Sequence, residues 1–222
     1  YAKSKSPLSL ALGEQHSMTG IQESKVTYPE FQNLSDGSLL FLYRSGASGR
    51  GNLVVNRYEP QTGQWTQLHG NLIDGQGIRS AYWQTHVDDH GIHLSWTWRE
   101  SWDVTTNHDI AYMVSKDGGY TWQDISGKAL QLPITKDTAP YAWRIPENSN
   151  LMNQTSMTTD SNGNPYIASY WREGAITQYK VVYHKNQQWQ LLDTDFREED
   201  FELGGGGTKS IHISRPEILV DD

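Results

Sequence analysis

The sequence predicts an all-β chain assembled from repeated four-stranded antiparallel units, and three observations carry that prediction. "FQNLSDGSLLFLYR" (31–44), "WQTHVDDHGIHLSWTWR" (83–99) and "NQTSMTTDSNGNPYIASYWR" (153–172) share one design: a first strand, an Asp/Gly turn, and a second strand ending in aromatic–Arg. Each unit continues into a third strand ("NLVVNRYE", "DIAYMVSK", "QYKVVYHK") and a last strand around Trp65, Trp122 or Trp189. No amphipathic helical period of any length interrupts them. Repetition at about 50 residues, with four short strands per repeat, is the pattern of a β-propeller blade.

Taken in order, the chain divides as follows. Residues 1–25 are a partial blade, because "YAKSK" at 1–5 matches the third-strand segment "YMVSK" at 112–116. Blades follow at 26–70, 78–130 and 151–195, each with its turn glycines and strand-forming β-branched and aromatic residues. The longer second spacing is explained by an insertion, 126–150, holding Pro133, Pro140 and Pro146. A loop at 196–209 includes "ELGGGGTK" (202–209), which lacks the strand–loop–Lys–Ser/Thr–helix context of a phosphate-binding loop. Residues 210–222 start another blade, since "RPEILVDD" (215–222) matches "YPEFQNLSDG" (28–37). Residues 1–222 thus read as one propeller region, a central piece of a larger ring, because a ring needs 4–8 blades to close and an open one exposes strand edges.

Composition bounds the function. With 26 acidic against 18 basic residues the net charge is −8, which excludes nucleic acid and membrane insertion as first expectations and requires a local basic pocket for any anionic ligand. The absence of cysteine excludes disulfides and thiolate metal sites. No apolar run approaches the roughly 20 residues of a membrane helix, and no signal peptide is visible at Tyr1. Nine Trp and twelve Tyr in so polar a chain suit a β-protein that binds carbohydrate. "SKDGGYTW" (115–122) is similar to the Asp-box turn of sialidase-like propellers, in which the Asp accepts hydrogen bonds from the turn and the Trp packs between sheets, a structural role.

"SMTG" (17–20), "VTYPEF" (26–31), "LLFLYRSGASGRGN" (39–52) and "NRYEPQTGQW" (56–65) together resemble the BNR-4 propeller family and, within it, the short propeller-fold ulvan lyases of marine bacteria. The likeness covers most of residues 1–125 and continues more loosely to "SRPEI". It implies a seven-bladed propeller, secreted or periplasmic and monomeric, that cleaves an anionic algal polysaccharide, ulvan, by β-elimination at a uronate. It implies no cofactor for the chemistry and leaves a structural calcium ion open. Tyr28 in "TYPEF" and Arg44 in "YRSG" match the family's catalytic Tyr and Arg. No stretch matches the family's histidine pair, and His16 sits too close to Tyr28 to take that role.

The chemistry agrees with those residue types. Elimination needs the C5 proton removed, the carboxylate charge neutralised and the leaving glycosidic oxygen protonated. The planar fork of Arg44 suits a carboxylate, and Tyr28 can carry a proton. Arg50, Arg99, Arg172, His86 and Trp83 are candidate substrate-binding residues; for Arg99 and Arg172 a structural role bonding the next blade is an equal alternative, and Trp83, like Trp98, Trp102 and Trp171, has core packing as the other reading. His86, His90 and His93 span a turn, so a division between turn and strand competes with a metal site. Two other functions compete. A sialidase-like glycoside hydrolase would use Arg44, Arg99 and Arg172 on one carboxylate, with "WRIP" (143–146) as a further similarity, and a non-catalytic glycan-binding propeller needs no base.

Overall fold

Alternation and β-branched content give short strands, and burial on both faces fixes them into stacked sheets. The computed structural model describes residues 1–153, 156–207 and 212–221. After a short pair, β1 (Ala2–Ser4) and β2 (Leu12–Gln15), the first four-stranded sheet runs β3 (Val26–Asn33), β4 (Leu39–Ala47), β5 (Arg50–Glu59) and β6 (Gln64–Ile73) in sequence order. The second contains β7 (Ser80–Asp88), β8 (Gly91–Arg99), β9 (Asn107–Ser115) and β10 (Tyr141–Trp143). The third contains β11 (Ser156–Thr159), β12 (Pro165–Arg172), β13 (Thr177–Lys185) and β14 (Gln188–Asp193). All ladders are antiparallel, as hairpin-connected neighbours must be. The only helical segments among the described residues are two three-residue 3₁₀ turns.

One strand is not where the repeat places it. The fourth strand of the second sheet is Tyr141–Trp143, within the expected insertion, instead of a strand around Trp122. The turn at 115–122 is the reason. Asp117 accepts bonds from Thr121 N, Thr121 Oγ1 and Ser115 Oγ, which folds the chain back tightly after β9. Trp122 then drops into the core and Gln123 keeps isolated bridges to Val114 and Ala129 in place of a ladder. The following stretch reaches the first sheet, where Ile134 N donates to Leu72 O at 3.0 Å, before returning to pair with β9. Of the expected next blade at 210–222, residues 210, 211 and 222, like 208 and 209 of the preceding loop, lie outside the described residues, and 212–221 forms no ladder.

The two largest of four apolar clusters among the described residues lie between the sheets. Leu40, Leu42, Leu72, Trp96, Trp98 and Trp122 pack between the first and second sheets, and Tyr112, Ile167, Trp171 and Val182 between the second and third. Burying each such side chain contributes about 1.5–3 kcal/mol. Trp98 and Trp171 are therefore packing residues, while Trp102 stays 64 % exposed. Arg57 ties the first sheet to the 115–122 turn by donating to Asp36 Oδ2, Glu59 Oε1 and the Gly118 carbonyl.

Candidate functional site

Arginines near the ends of the second strands of the first two sheets meet. Arg44, three residues before the end of β4, lies opposite Thr27 and Leu53, and Arg99 closes β8 opposite Ser80 and Asn107. Gly51 makes the first placement possible, since a Cβ there would stand 2.7 Å from Arg44 Cγ. Tyr82, two residues into β7 from Ser80, puts its hydroxyl between the two guanidiniums. Arg44 Nη1 donates to it at 3.1 Å and Arg99 Nη1 at 3.3 Å, while Ser48 Oγ lies 2.9 Å away. A phenolic oxygen accepts two bonds, so both its lone pairs are taken and its own proton points to Ser48.

Tyr28 reaches the same place by a different device. The β3–β4 register shifts between Thr27 and Glu30, and Tyr28 within that bulge has φ of 54°. A bulky residue before proline is disfavoured in that region, at a cost of about 1–3 kcal/mol, and such strain collects at functional positions. The bulge lifts the ring, 53 % exposed, over the Arg44 guanidinium at 4.8 Å and edge-on to Tyr82 at 5.5 Å.

These groups line a cleft of about 480 Å³ with Asn153, the glycines 205–207 and Arg215. That size suits a short oligosaccharide. Its lining contains three arginines, no acidic residue and no histidine among the described residues. Arg44 Nε donates to Thr27 Oγ1 at 2.9 Å, leaving Nη2 open. Arg99 is more fully held, by Asn107 Oδ1 at 2.8 Å and Asn153 Oδ1 at 2.5 Å. Burial pulls the Arg99 guanidinium below its ordinary pKa, and Tyr82 and Tyr28 pull against that. Arg44 thus has the free edge for a ligand, and Arg99 the better support.

The remaining sequence candidates lie elsewhere. Arg50 is exposed on the β4–β5 hairpin, beside the cleft residue Ser48 but outside the lining. Arg172 donates to Asp200 and Glu202 at 2.7 and 2.8 Å, clamping the 196–203 segment. Trp83 is outside the cleft lining, although its ring lies 6.4 Å from that of Tyr28; it donates to Glu30 Oε2 at 2.9 Å, and burial raises that carboxyl's pKa. His86 is four residues beyond Tyr82 along β7, roughly 13 Å at a strand's rise, and sits 3.3 Å from Thr159 Oγ1. His93 is bound by Tyr112 and Asp88, and His90 by the Ser161 carbonyl; among the described residues no three His, Asp or Glu side chains are grouped to hold a metal ion. Arg144 of "WRIP" stacks on Tyr141 and pairs with Asp109, away from the cleft. Tyr82 and Arg215 are among the cleft residues that sequence reasoning missed. The repeat register carried a signal for both, since "SAYWQ" and "SRPEI" set them near the position of Tyr28 in "VTYPE".

Three stacked antiparallel sheets with a basic, aromatic cleft at their shared edge define a β-propeller. The chain belongs to the BNR repeat-containing family, whose sequence profile matches residues 1–196. It is 22 % identical over 122 residues to the long isoform of an ulvan lyase from Alteromonas sp. (strain LOR), a match over 50 % of this chain and 12 % of that protein. Among solved structures it is similar to an ulvan lyase of polysaccharide lyase family PL25, with a TM-score of 0.71 and 20 % identity over 90 % of this chain and 50 % of that one. A PL25 ulvan lyase bound to -[GlcA(1-4)Rha3S]- gives 0.66 and 20 % over 86 % and 48 %. The chain spans about half the length of these solved relatives. No helix among the described residues is long and apolar enough to cross a membrane, which says nothing of a β-barrel.

Proposed function

We propose that this chain carries part of the active site of a secreted or periplasmic polysaccharide lyase that cleaves ulvan by β-elimination at the uronate. The observation that carries the reading is the charge of the cleft. Arg57, Arg79, Arg144 and Arg172 are each paired with a carboxylate, whereas Arg44, Arg99 and Arg215 have no carboxylate partner among the described residues and face one cleft. Cations left unpaired in a chain of net charge −8 are suited to an anionic substrate.

In this mechanism the free edge of Arg44 takes the uronate carboxylate and Arg99, through the shared Tyr82 oxygen, holds it in place. As the C5–H bond breaks, its electron pair forms the C4–C5 double bond and expels the glycosidic oxygen at C4. The guanidinium stabilises the charge that develops on the carboxylate meanwhile. Tyr28, at the cleft mouth beside Arg44, transfers a proton in this sequence, and a histidine beyond the described cleft lining completes the acid–base pair. No cofactor takes part. The hydrolase alternative is weaker, because its third arginine, Arg172, is held by Asp200 and Glu202 outside the cleft. Simple glycan binding is favoured by one observation, the lack of a histidine among the described residues of the lining.

The test is ultraviolet absorbance of the unsaturated uronate during incubation with ulvan. Arg44→Ala should reduce turnover by about 10²–10³, the cost of losing a charge-stabilising donor. Tyr28→Phe should remove most turnover with the fold intact. Wild-type rates in either variant would take that residue out of the mechanism.

A further inference from the structure

Arg215 is held differently from every other cation of the cleft. Its backbone is pinned on both sides: Tyr179 Oη donates to the Ser214 carbonyl at 2.7 Å, and Ile218 N donates to Ser156 Oγ at 3.1 Å, whose hydroxyl donates to Glu217 Oε2. The side chain is exposed and lines the cleft, and it makes no hydrogen bond or ion pair with the described residues. Below it, Met152 and Leu203 of the cleft wall belong to the apolar cluster of Tyr170. Tyr170 is fully buried, its hydroxyl has no partner among the described residues, and Arg215 is near enough to act on that hydroxyl electrostatically. A pinned backbone carrying an unpaired guanidinium adds nothing to stability through pairing, and it is already oriented for a ligand.

Arg44 and Arg99 donate to one oxygen and so form a single cationic locus. Arg215 comes from a stretch more than a hundred residues further along the chain and is bound to neither, which makes it a second locus in the same cleft. A polymer that alternates a uronate with a sulfated sugar presents two kinds of anion on neighbouring rings. One cationic locus cannot meet both.

Resting on the lyase reading above, we propose that Arg215 is a specificity-determining residue that binds the sulfate ester of the substrate while the Arg44–Arg99 pair holds the carboxylate. A guanidinium fork can donate two parallel bonds to a sulfate, which a lysine cannot reproduce.

Affinity electrophoresis of the full chain in gels containing ulvan or chemically desulfated ulvan tests this. Arg215→Ala should weaken retention by ulvan about ten-fold or more, the scale of one charge-assisted bond, and leave retention by desulfated ulvan unchanged. Arg215→Lys should recover only part of the loss. Equal weakening on both polymers would overturn the sulfate assignment, as would an Arg215→Ala protein that behaves like wild type on ulvan. In those two cases the lyase reading stands and this inference alone falls. Wild-type protein that is retarded by neither polymer would bring down both.

Discussion

Replacing Tyr82 by Phe removes one oxygen and keeps the ring, so it isolates what the shared hydroxyl does. Arg44 Nη1 and Arg99 Nη1 lie 3.1 and 3.3 Å from that oxygen, and the two nitrogens are therefore at most about 6.4 Å apart. Two unit charges at that separation repel by about 2.6 kcal/mol at an effective dielectric constant near 20. The hydroxyl offsets this by accepting two charge-assisted hydrogen bonds, each contributing about 1.5–3 kcal/mol. In the Phe variant the ring contacts of the Arg99 and Arg44 guanidiniums, 4.3 and 5.4 Å from its centre, persist, as do the bonds to Thr27, Asn107 and Asn153. The net loss is then about 2–4 kcal/mol, because the guanidiniums recover part of the deficit from cleft water. Urea denaturation of both proteins measures it through the midpoint at unchanged slope. A second expectation follows from the same geometry: an added small anion should stabilise the variant more than wild type, since it replaces the missing acceptor. A stability loss below about 0.5 kcal/mol, with no differential effect of anions, would refute the claim that the hydroxyl holds the two arginines together.

Two further outcomes follow from the geometry. Gly51→Ala places a methyl 2.7–2.8 Å from Arg44 Cγ and Cδ, so the flexible side chain must move; isothermal titration should show weakened ulvan binding by the chain, with a stability cost of about 1–3 kcal/mol, and unchanged affinity would show that Arg44 does not need that path. Asp36 is held down to about 2 by the Ser38 hydroxyl first, then by the Ser38 amide and Arg57. Its folded pKa lies below the unfolded value of about 3.9, so its contribution is present above about pH 4 and is lost as pH falls through about 2. Asp36→Asn should lower stability at neutral pH, and acid titration of both proteins should show the gap closing across that window; a gap that persists below it would assign the effect elsewhere.

Much of this was legible in the sequence, and the reasons are local. The repeat of strand, Asp/Gly turn and aromatic–Arg strand set the three sheets, because hairpin turns and short runs of β-branched and aromatic residues are written in neighbouring residues. Tyr28 and Arg44 were found by motif, and the structure brings them together with Arg99. Tyr82 was hidden because Trp83 beside it drew attention, and only strand alternation, which turns adjacent side chains to opposite faces, separates the two. Arg215 was hidden because a pocket between units depends on how blades stack, a contact between residues far apart in the chain. Arg172 carries the same aromatic–Arg motif as Arg44 and Arg99, yet Asp200 and Glu202 from a later loop claim it. The strand at Tyr141–Trp143 was missed since the turn at 115–122 removes Trp122 from the ladder, and proline spacing around it reads as loop.

The measurement that bears most directly on the account is mass spectrometry of oligosaccharides released from ulvan in ¹⁸O-labelled water by this protein. β-Elimination predicts products that each lack one water relative to hydrolysis, carry an unsaturated uronate and contain no ¹⁸O. Products bearing ¹⁸O at the new reducing end would contradict the account in favour of hydrolysis, and the release of no products by the folded protein would leave the cleft a binding site alone.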